Sequence, residues 1–307
     1  MSFTFKDLHW AGKIDVQYYL QPKTLEEALQ ILSDHKGRAK VIAGGTDVIP
    51  QLRSRDMEVD ALVDITRLPE MGRIDQEGEK IILGGLVTHA QVASSHLIKE
   101  KAGLLADGAA RVGSPQIRNI ATVAGNLVSG QPAADTSIPL LALNAQVTIA
   151  SKSGDRTIPL TEFFLEIGKT ALDPSKEILT QIQFTALGQN QGGAYLRLTK
   201  RKALALPMLV CSSVVKVEPG KRLIEDASIA LGPVAPTPFR ASQAEAKLRN
   251  SPITREVLNA ASDVSMVECT PRDSLLRGSC EYREEMVKVF VRRSLERALA
   301  QAGFPIN

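Results

Sequence analysis

The chain of 307 residues is long enough for two domains, and its 44% apolar and 23% charged residues are ordinary for a globular protein. Because 37 basic residues against 34 acidic ones leave a net charge of only +3, the composition gives no indication of binding to nucleic acid or to an anionic membrane. Residues 203–215, the longest apolar stretch, are too few to span a bilayer and are interrupted by Pro207, and the N-terminus lacks the pattern of a signal peptide, so we expect a cytoplasmic protein.

The cysteines and histidines do not form a metal-binding pattern. Cys211, Cys269 and Cys280 are odd in number and contain no Cys-x-x-Cys pair, which disfavours a disulfide framework, a zinc site or an iron–sulfur cluster. We expect reduced thiols in or near a core. His89 and His96 are seven residues apart but have no cysteine or carboxylate at ligand spacing. We therefore predict that this chain alone makes no metal site.

Helices and strands alternate in the first half of the chain. Thr24 followed by Glu27 has the spacing of a capping box at the start of an amphipathic helix. The elements predicted after it are strands at 40–42, 60–65 and 80–85, helices at 48–53, 104–112 and 135–143, a helix opened by Thr88 and Gln91, and a hairpin of 145–150 with 157–160 turned by 151–155.

A polar stretch at 188–193 has no apolar periodicity and predicts a domain boundary. We assign residues 1–187 to an N-terminal domain, itself in two parts of about 1–66 and 67–187, and residues 188–307 to a smaller C-terminal domain. In the latter we predict strands at 194–199, 208–217 and 227–231 and helices at 254–267 and 282–302. The predicted fold class is α+β, with a three-stranded sheet and helices in the second domain.

Two loops contain the residues that suit ligand binding. In the first, Gly44 and Gly45 directly follow an apolar strand and precede a predicted helix. Glycine permits positive φ and close backbone approach, and amide groups at a helix start point toward an anion, so a diphosphate would fit here with the Thr46 hydroxyl as an added donor. The spacing G-x-G-x-x-G of dinucleotide-binding folds is absent. Taken alone, such a turn is more often a simple connection than a site.

The second loop, residues 113–135, concentrates small residues, hydroxyls, Gly125 and Asn126 before a predicted helix. Asp135 near that helix start suits either an N-cap or a hydrogen bond to a ligand hydroxyl. The alternative is a long ordered loop whose polar side chains satisfy its own backbone, and this reading is favoured for Asn119 and Gln131.

Together the two loops resemble those of the FAD-binding subunits of the molybdenum hydroxylases, a family that includes carbon monoxide dehydrogenase, nicotinate dehydrogenase, quinoline oxidoreductase and the flavin domain of xanthine dehydrogenase. The segments that carry the resemblance are AGGTD at 43–47, RNIATVAGN at 118–126 and PAAD at 132–135. It continues in EILT at 177–180, LGPVAPTP at 231–238 and YR at 282–283. The resemblance therefore covers nearly the whole chain.

The resemblance implies a two-part FAD-binding domain of the type found in vanillyl-alcohol oxidase, with FAD between its halves and the C-terminal domain over the isoalloxazine ring. The first loop would wrap the diphosphate with Val41, Ile42, Ala43, Gly44, Gly45, Thr46, Asp47 and Val48. The second wall would comprise Gly113, Thr122, Val123, Ala124, Gly125, Asn126, Ser129 and Asp135. Leu179 would contact the ring system.

Two positions depart from the family pattern. The family often has glycine where this chain has Ala124, so we expect a slightly different backbone path there. A lysine is common near Tyr195, where this chain has Leu196 and Arg197, which leaves the cation near the ring open.

By the same resemblance, electrons would pass from a molybdenum–pterin large subunit through [2Fe-2S] clusters of a small subunit to this FAD, and then to an external acceptor. A dimer of heterotrimers is the expected assembly. Val112 and the basic run Lys200, Arg201 and Lys202 favour a quinone, ferredoxin or oxygen over NAD as acceptor, and all four stay open. No catalytic acid or base is predicted, because the flavin carries the redox chemistry. The alternatives are a self-sufficient flavin oxidase or reductase of this fold, and a nucleotide-binding scaffold without redox activity.

Overall fold

The first sheet is small and parallel. The computed structural model describes residues 16–201, 204–274 and 277–306. The N-terminus, where no signal peptide is predicted, and Lys202 of the predicted basic run lie outside these ranges. The first elements are β1 (Tyr18–Leu20), α1 (Leu25–Asp34), β2 (Ala39–Ile42), α2 (Val48–Ser54) and β3 (Ala61–Asp64). Strand order β1-β3-β2 leaves β2 at an edge of the sheet. The predicted helices and strands of this segment are confirmed, and β1 is an addition.

Helix α1 begins where the capping pattern predicts. The Thr24 hydroxyl oxygen accepts a hydrogen bond from the Glu27 amide at 3.2 Å. The Glu27 carboxylate accepts from the amide of Lys23 at 2.7 Å, one residue before the N-cap. The buried face of α1 consists of Ala28, Leu29 and Leu32, which pack in the core next to the sheet.

The second sheet is antiparallel, in the order β4-β5-β10-β6-β7. Its strands are β4 (Ile74–Glu77), β5 (Lys80–Gly84), β6 (Gln146–Ser151), β7 (Gly154–Pro159) and β10 (Glu177–Thr185), and a separate hairpin comprises β8 (Phe164–Glu166) and β9 (Lys169–Thr170). The helices of this part are α3 (His89–Ser94), α4 (His96–Lys101), α5 (Gly103–Ala109), α6 (Pro115–Ile120), α7 (Val123–Val128) and α8 (Ser137–Ala142). Short 3-10 turns occupy Pro69–Gly72 and Leu160–Glu162.

Several features of this part differ from the predictions, and β4, β8 and β9 are additions. The central strand β10 was not among the predicted elements, and the second loop contains the short helices α6 and α7. Thr88 caps α3 in a complete capping box, but Ser95 starts a new helix by accepting from the amide of Ile98. His89 and His96 therefore begin separate helices.

The C-terminal part consists of an antiparallel sheet and three helices among the described residues. Its strands are β11 (Gln191–Leu198), β12 (Leu209–Glu218), β13 (Leu223–Gly232), β14 (Phe239–Arg240) and β15 (Ser251–Pro252), and its helices are α9 (Ser242–Leu248), α10 (Arg255–Val267) and α11 (Cys280–Gln301). The three long predicted strands form the sheet, and two strands of two residues pair with β13. Helix α11 packs on β11 and β12. The predicted α+β class is confirmed.

The two parts of the chain contact each other through α8, which packs on β12 and β13. Arg240 of β14 reaches back and donates to the carbonyl oxygen of Leu141 at 3.2 Å. The predicted boundary at 187/188 lies in the connection between β10 and β11.

Cys211 and Cys269 are buried free thiols and Cys280 is half-buried, as expected from the sequence. Burial raises the pKa of both Cys211 and Cys269 to about 12. Among the described residues, no helix is long and apolar enough to cross a membrane.

Candidate functional site

A cavity of about 330 Å³ lies where the edge of the first sheet meets the second sheet and the two loops. This volume is at the lower end of the range for small-molecule sites. Lys40 and Val41, consecutive residues on the edge strand β2, both line it, and β10 contributes Glu177, Ile178 and Leu179. The cavity therefore joins the two halves of the N-terminal part.

The first loop presents a row of unpaired backbone donors to this cavity. Within the described part of the chain, the amide groups of residues 44–48 have no hydrogen-bond acceptor, although the next amide, Ile49, donates to the carbonyl of Gly45 at 3.0 Å. Gly45 has a φ of +68°, which turns the chain in a way that L side chains rarely adopt. Consecutive unpaired amides in such a turn form a nest for an oxyanion.

The second loop meets the first in direct backbone contact. A Cβ atom on Gly44 would lie 1.9 Å from the carbonyl oxygen of Ile120, so only glycine permits this approach. Thr122 then caps α7, its hydroxyl oxygen accepting from the amide of Gly125 at 3.0 Å. The Asn126 side-chain oxygen accepts from the Thr136 hydroxyl at 2.6 Å. The loop is thus held rigidly by its own hydrogen bonds.

Most of the predicted site residues come together around the cavity. The thirteen that line it are Val41, Ala43, Gly44, Gly45, Thr46, Asp47, Val48, Thr122, Ala124, Gly125, Asn126, Ser129 and Leu179. Ala124 lies in the regular helix α7, where the sequence comparison with the family led us to expect an altered path.

Four predicted residues do not line the cavity. Ile42 is directed into a small core, and its carbonyl accepts from the amide of Ile65. Val123 is fully buried, and its amide donates to the carbonyl of Val87. Gly113 occupies a turn packed against Ile117.

Asp135 is the fourth: its predicted N-cap role is wrong, and its predicted hydrogen bond to a ligand stays a prediction. The N-cap of α8 is Thr136, and the Asp135 carboxylate accepts from the Tyr195 hydroxyl at 2.6 Å and from Arg197 Nε at 2.7 Å. Tyr195 and Arg197 lie on β11, so this contact forms only when the two parts of the chain fold together. Arg197 is accordingly paired with a carboxylate at the junction and does not line the cavity.

The sequence reasoning missed two titratable residues in the cavity wall, Lys40 and His89. Lys40 directly precedes the predicted apolar strand residues, and His89 follows the recognisable capping residue Thr88. Burial lowers the pKa of Lys40, and burial raises the pKa of the Asp47 carboxyl. Neither of these two side chains has an ion-pair partner within the described ranges.

His89 is only 1% exposed, and neither of its ring nitrogens has a hydrogen-bond partner in the part of the chain that the structure describes. Burial, aided by the positive charge of Arg118, lowers its pKa to about 4. The imidazole is therefore neutral at pH 7, with one donor and one acceptor unsatisfied in the cavity wall.

This depressed pKa predicts a loss of stability in acid. Between about pH 6.5 and about pH 4.5 the unfolded chain binds a proton at His89 and the folded chain mostly does not, so the free energy of unfolding falls by about 2 kcal/mol as the pH decreases. The His89→Leu variant, which cannot titrate, should lack this component. Urea unfolding of the ligand-free wild type and variant across this pH range measures it, and equal pH slopes in the two proteins would contradict the assignment.

The residues that line the cavity are suited to binding a ligand. The unpaired amides of residues 44–48 suit an oxyanion, and the apolar side chains of Ile65, Ile178 and Leu179 suit a planar ring. No group of three or more His, Cys, Asp or Glu side chains in the described ranges is placed to hold a metal ion.

Comparison with known protein families gives two consecutive matches. Residues 12–185 match the FAD binding domain in molybdopterin dehydrogenase, and residues 194–298 match the CO dehydrogenase flavoprotein C-terminal domain. The predicted boundary at 187/188 lies between the two matched ranges.

Individual relatives match over nearly their full length. The carbon monoxide dehydrogenase medium chain of Hydrogenophaga pseudoflava is 31% identical, over 93% of this chain and 98% of the relative. The xanthine dehydrogenase FAD-binding subunit of Escherichia coli O157:H7 is 30% identical, over 94% and 98%. The solved structure of the Hydrogenophaga pseudoflava carbon monoxide dehydrogenase that lacks the Mo-pyranopterin moiety contains a chain that superposes with a TM-score of 0.89 at 31% identity, covering 94% of this chain and 99% of that one.

Proposed function

Because this chain belongs to the FAD-binding subunits of the molybdenum hydroxylases, and is thus an oxidoreductase subunit, we propose that the cavity between its two sheets holds FAD. The thirteen predicted residues that line the cavity would form the binding site. The observation that carries this proposal is the row of unpaired amides at residues 44–48, placed beside the second loop.

Each part of the cavity fits one part of the cofactor. The amides of the first loop would donate to the diphosphate, which is a string of oxyanions. The free N–H groups of the Asn126 side chain and the Thr46 hydroxyl would donate to further oxygens of the ligand. The two ring nitrogens of His89, which have no partner in the described structure, would offer the cofactor a hydrogen-bonding position. The apolar side chains of the cavity wall would contact the rings of the cofactor.

When bound, FAD supplies the exchange of electrons with a donor and an acceptor. The residues of this chain position the cofactor and keep water from it. No residue of the cavity is assigned as a catalytic acid or base.

We further propose that the electrons come from [2Fe-2S] clusters of a small subunit, which receives them from a molybdenum–pterin large subunit, and that the complex is a dimer of heterotrimers. Relatives described as medium chains of carbon monoxide dehydrogenase support the existence of partner subunits. The three free thiols agree with a reducing compartment, and we propose the cytoplasm as the location.

Reconstitution of the purified full chain with FAD tests the first part of this proposal. We expect one FAD per chain, retained through gel filtration and visible in the flavin absorbance. If the folded chain retains no flavin after reconstitution, the proposal is wrong and the alternative of a nucleotide-binding scaffold is favoured.

Copurification tests the second part. An affinity-tagged chain expressed in its native host should bring down a molybdenum-containing large chain and an iron–sulfur small chain. A lone chain that oxidises or reduces substrates at full rate would favour the self-sufficient flavoenzyme.

A further inference from the structure

Few titratable side chains line the cavity, and they differ in charge and in whether they have an ion-pair partner. Four titratable side chains in the described ranges line it: Lys40, Asp47, His89 and Glu177. Glu177 is paired with Arg156 at 3.0 Å, and His89 is neutral at pH 7 because its pKa is about 4. Lys40 and Asp47 are left as one positive and one negative group, and no ion pair joins them.

Lys40 is the single cation among the described residues that line the cavity. Its side chain is half-buried, and within the described ranges it has neither a carboxylate partner nor a hydrogen bond. Arg118, the cation close to His89, does not line the cavity and donates to the carbonyl oxygens of Val112 and Gly113. A half-buried ammonium without a partner is costly unless a ligand supplies the counter-charge.

The diphosphate of FAD carries negative charge that the amides of the first loop meet only with partial dipoles. Asp47, in the same loop, adds a negative charge to the wall. A full positive charge near this dianion would strengthen its binding, and β2, which bears Lys40, leads directly into the loop. We propose that Lys40 is the cationic partner of the FAD diphosphate, and that it makes the cavity selective for flavins that carry phosphate.

This inference rests on the proposed function, because it presumes that FAD occupies the cavity. It assigns to Lys40 a role that neither loop supplies: the amides fix the position of the phosphate oxygens, and the ammonium balances their charge.

The Lys40→Met variant tests the proposal by separating phosphate from ring recognition. Methionine keeps the length and apolar stem of lysine without its charge. We expect the dissociation constant for FAD, measured by quenching of flavin fluorescence, to rise about tenfold or more, and that for riboflavin, which has no phosphate, to stay the same. The Lys40→Arg variant should bind FAD within about threefold of the wild type, since it retains the charge.

Salt gives a second readout. FAD binding to the wild type should weaken with ionic strength more steeply than binding to Lys40→Met, because the variant lacks one charge pair. The exposed Lys80, which has no ion pair in the described structure and lies outside the cavity, provides the control, and Lys80→Met should behave as the wild type. Thermal unfolding of the apo forms should show Lys40→Met at least as stable as the wild type, since methionine removes an unpaired charge.

The outcomes separate the two proposals. Wild-type affinity for FAD in Lys40→Met, or an equal loss of FAD and riboflavin, would overturn the role of Lys40 and leave the FAD site standing. Failure of the folded wild-type chain to bind FAD would overturn the proposed function and this inference with it.

Discussion

Replacement of Gly44 with alanine is expected to weaken FAD binding by more than about a hundredfold. The added Cβ would lie 1.9 Å from the carbonyl oxygen and 2.5 Å from the carbonyl carbon of Ile120. Both are backbone atoms, which cannot rotate away as a side chain can. The two loops must therefore separate, and the unpaired amides of the first loop lose their position beside the second.

The measurement is the flavin content of the purified variant, followed by titration with FAD. Gly103→Ala is the matched control, because no atom lies within 4 Å of the position that its Cβ would take and its φ is not positive. The core between the C-terminal sheet and α11 should stay folded, which circular dichroism can check. Full flavin retention by Gly44→Ala would show that the cofactor does not depend on contact between the loops.

The sequence predicted the two loops well because their signals are local. A glycine pair between an apolar strand and a helix is visible in a few adjacent residues, and Thr122 as a cap needs only the amide three residues later. For the same reason the long strands and helices of the C-terminal part were predicted close to their observed bounds.

The elements that were missed lack such local signals. Strand β10 has its register shifted between Leu179 and Gln181, so its apolar residues do not alternate regularly along the sequence. Helices α6 and α7 have six residues each, too few for a helical stripe to stand out.

Residues whose role depends on distant contacts were the hardest to place. Asp135 looked like a cap or a ligand residue because Tyr195 and Arg197 are about sixty positions away in sequence. Lys40 and His89 join the cavity only through packing of the first sheet against the second loop. Periodicity and capping rules carry no information about such pairs.

Asp135→Ala is expected to lower the free energy of unfolding by about 3–5 kcal/mol. The carboxylate and the Arg197 guanidinium form a pair at the junction of the two parts, with side chains only 8% and 10% exposed. Removal of Asp135 leaves the guanidinium buried with the carbonyl of Ala205 as its one remaining hydrogen-bond partner among the described residues, and it deprives the Tyr195 hydroxyl of its acceptor. The large effect comes from the uncompensated charge, more than from the lost attraction.

A double variant distinguishes these two contributions. With Asp135→Leu and Arg197→Met together, neither charge of the pair remains, so most of the stability should return. A double-mutant cycle with the single variants Asp135→Leu and Arg197→Met gives the coupling energy of the pair. Asp226→Ala is the control, since its pair with Arg249 is about half exposed on both sides and should contribute only about 0–1 kcal/mol. If urea unfolding finds Asp135→Ala no less stable than Asp226→Ala, the pair does not hold the two parts together. A loss as large as predicted would mean that this junction, and with it the position of β11 beside the FAD domain, depends on one buried carboxylate.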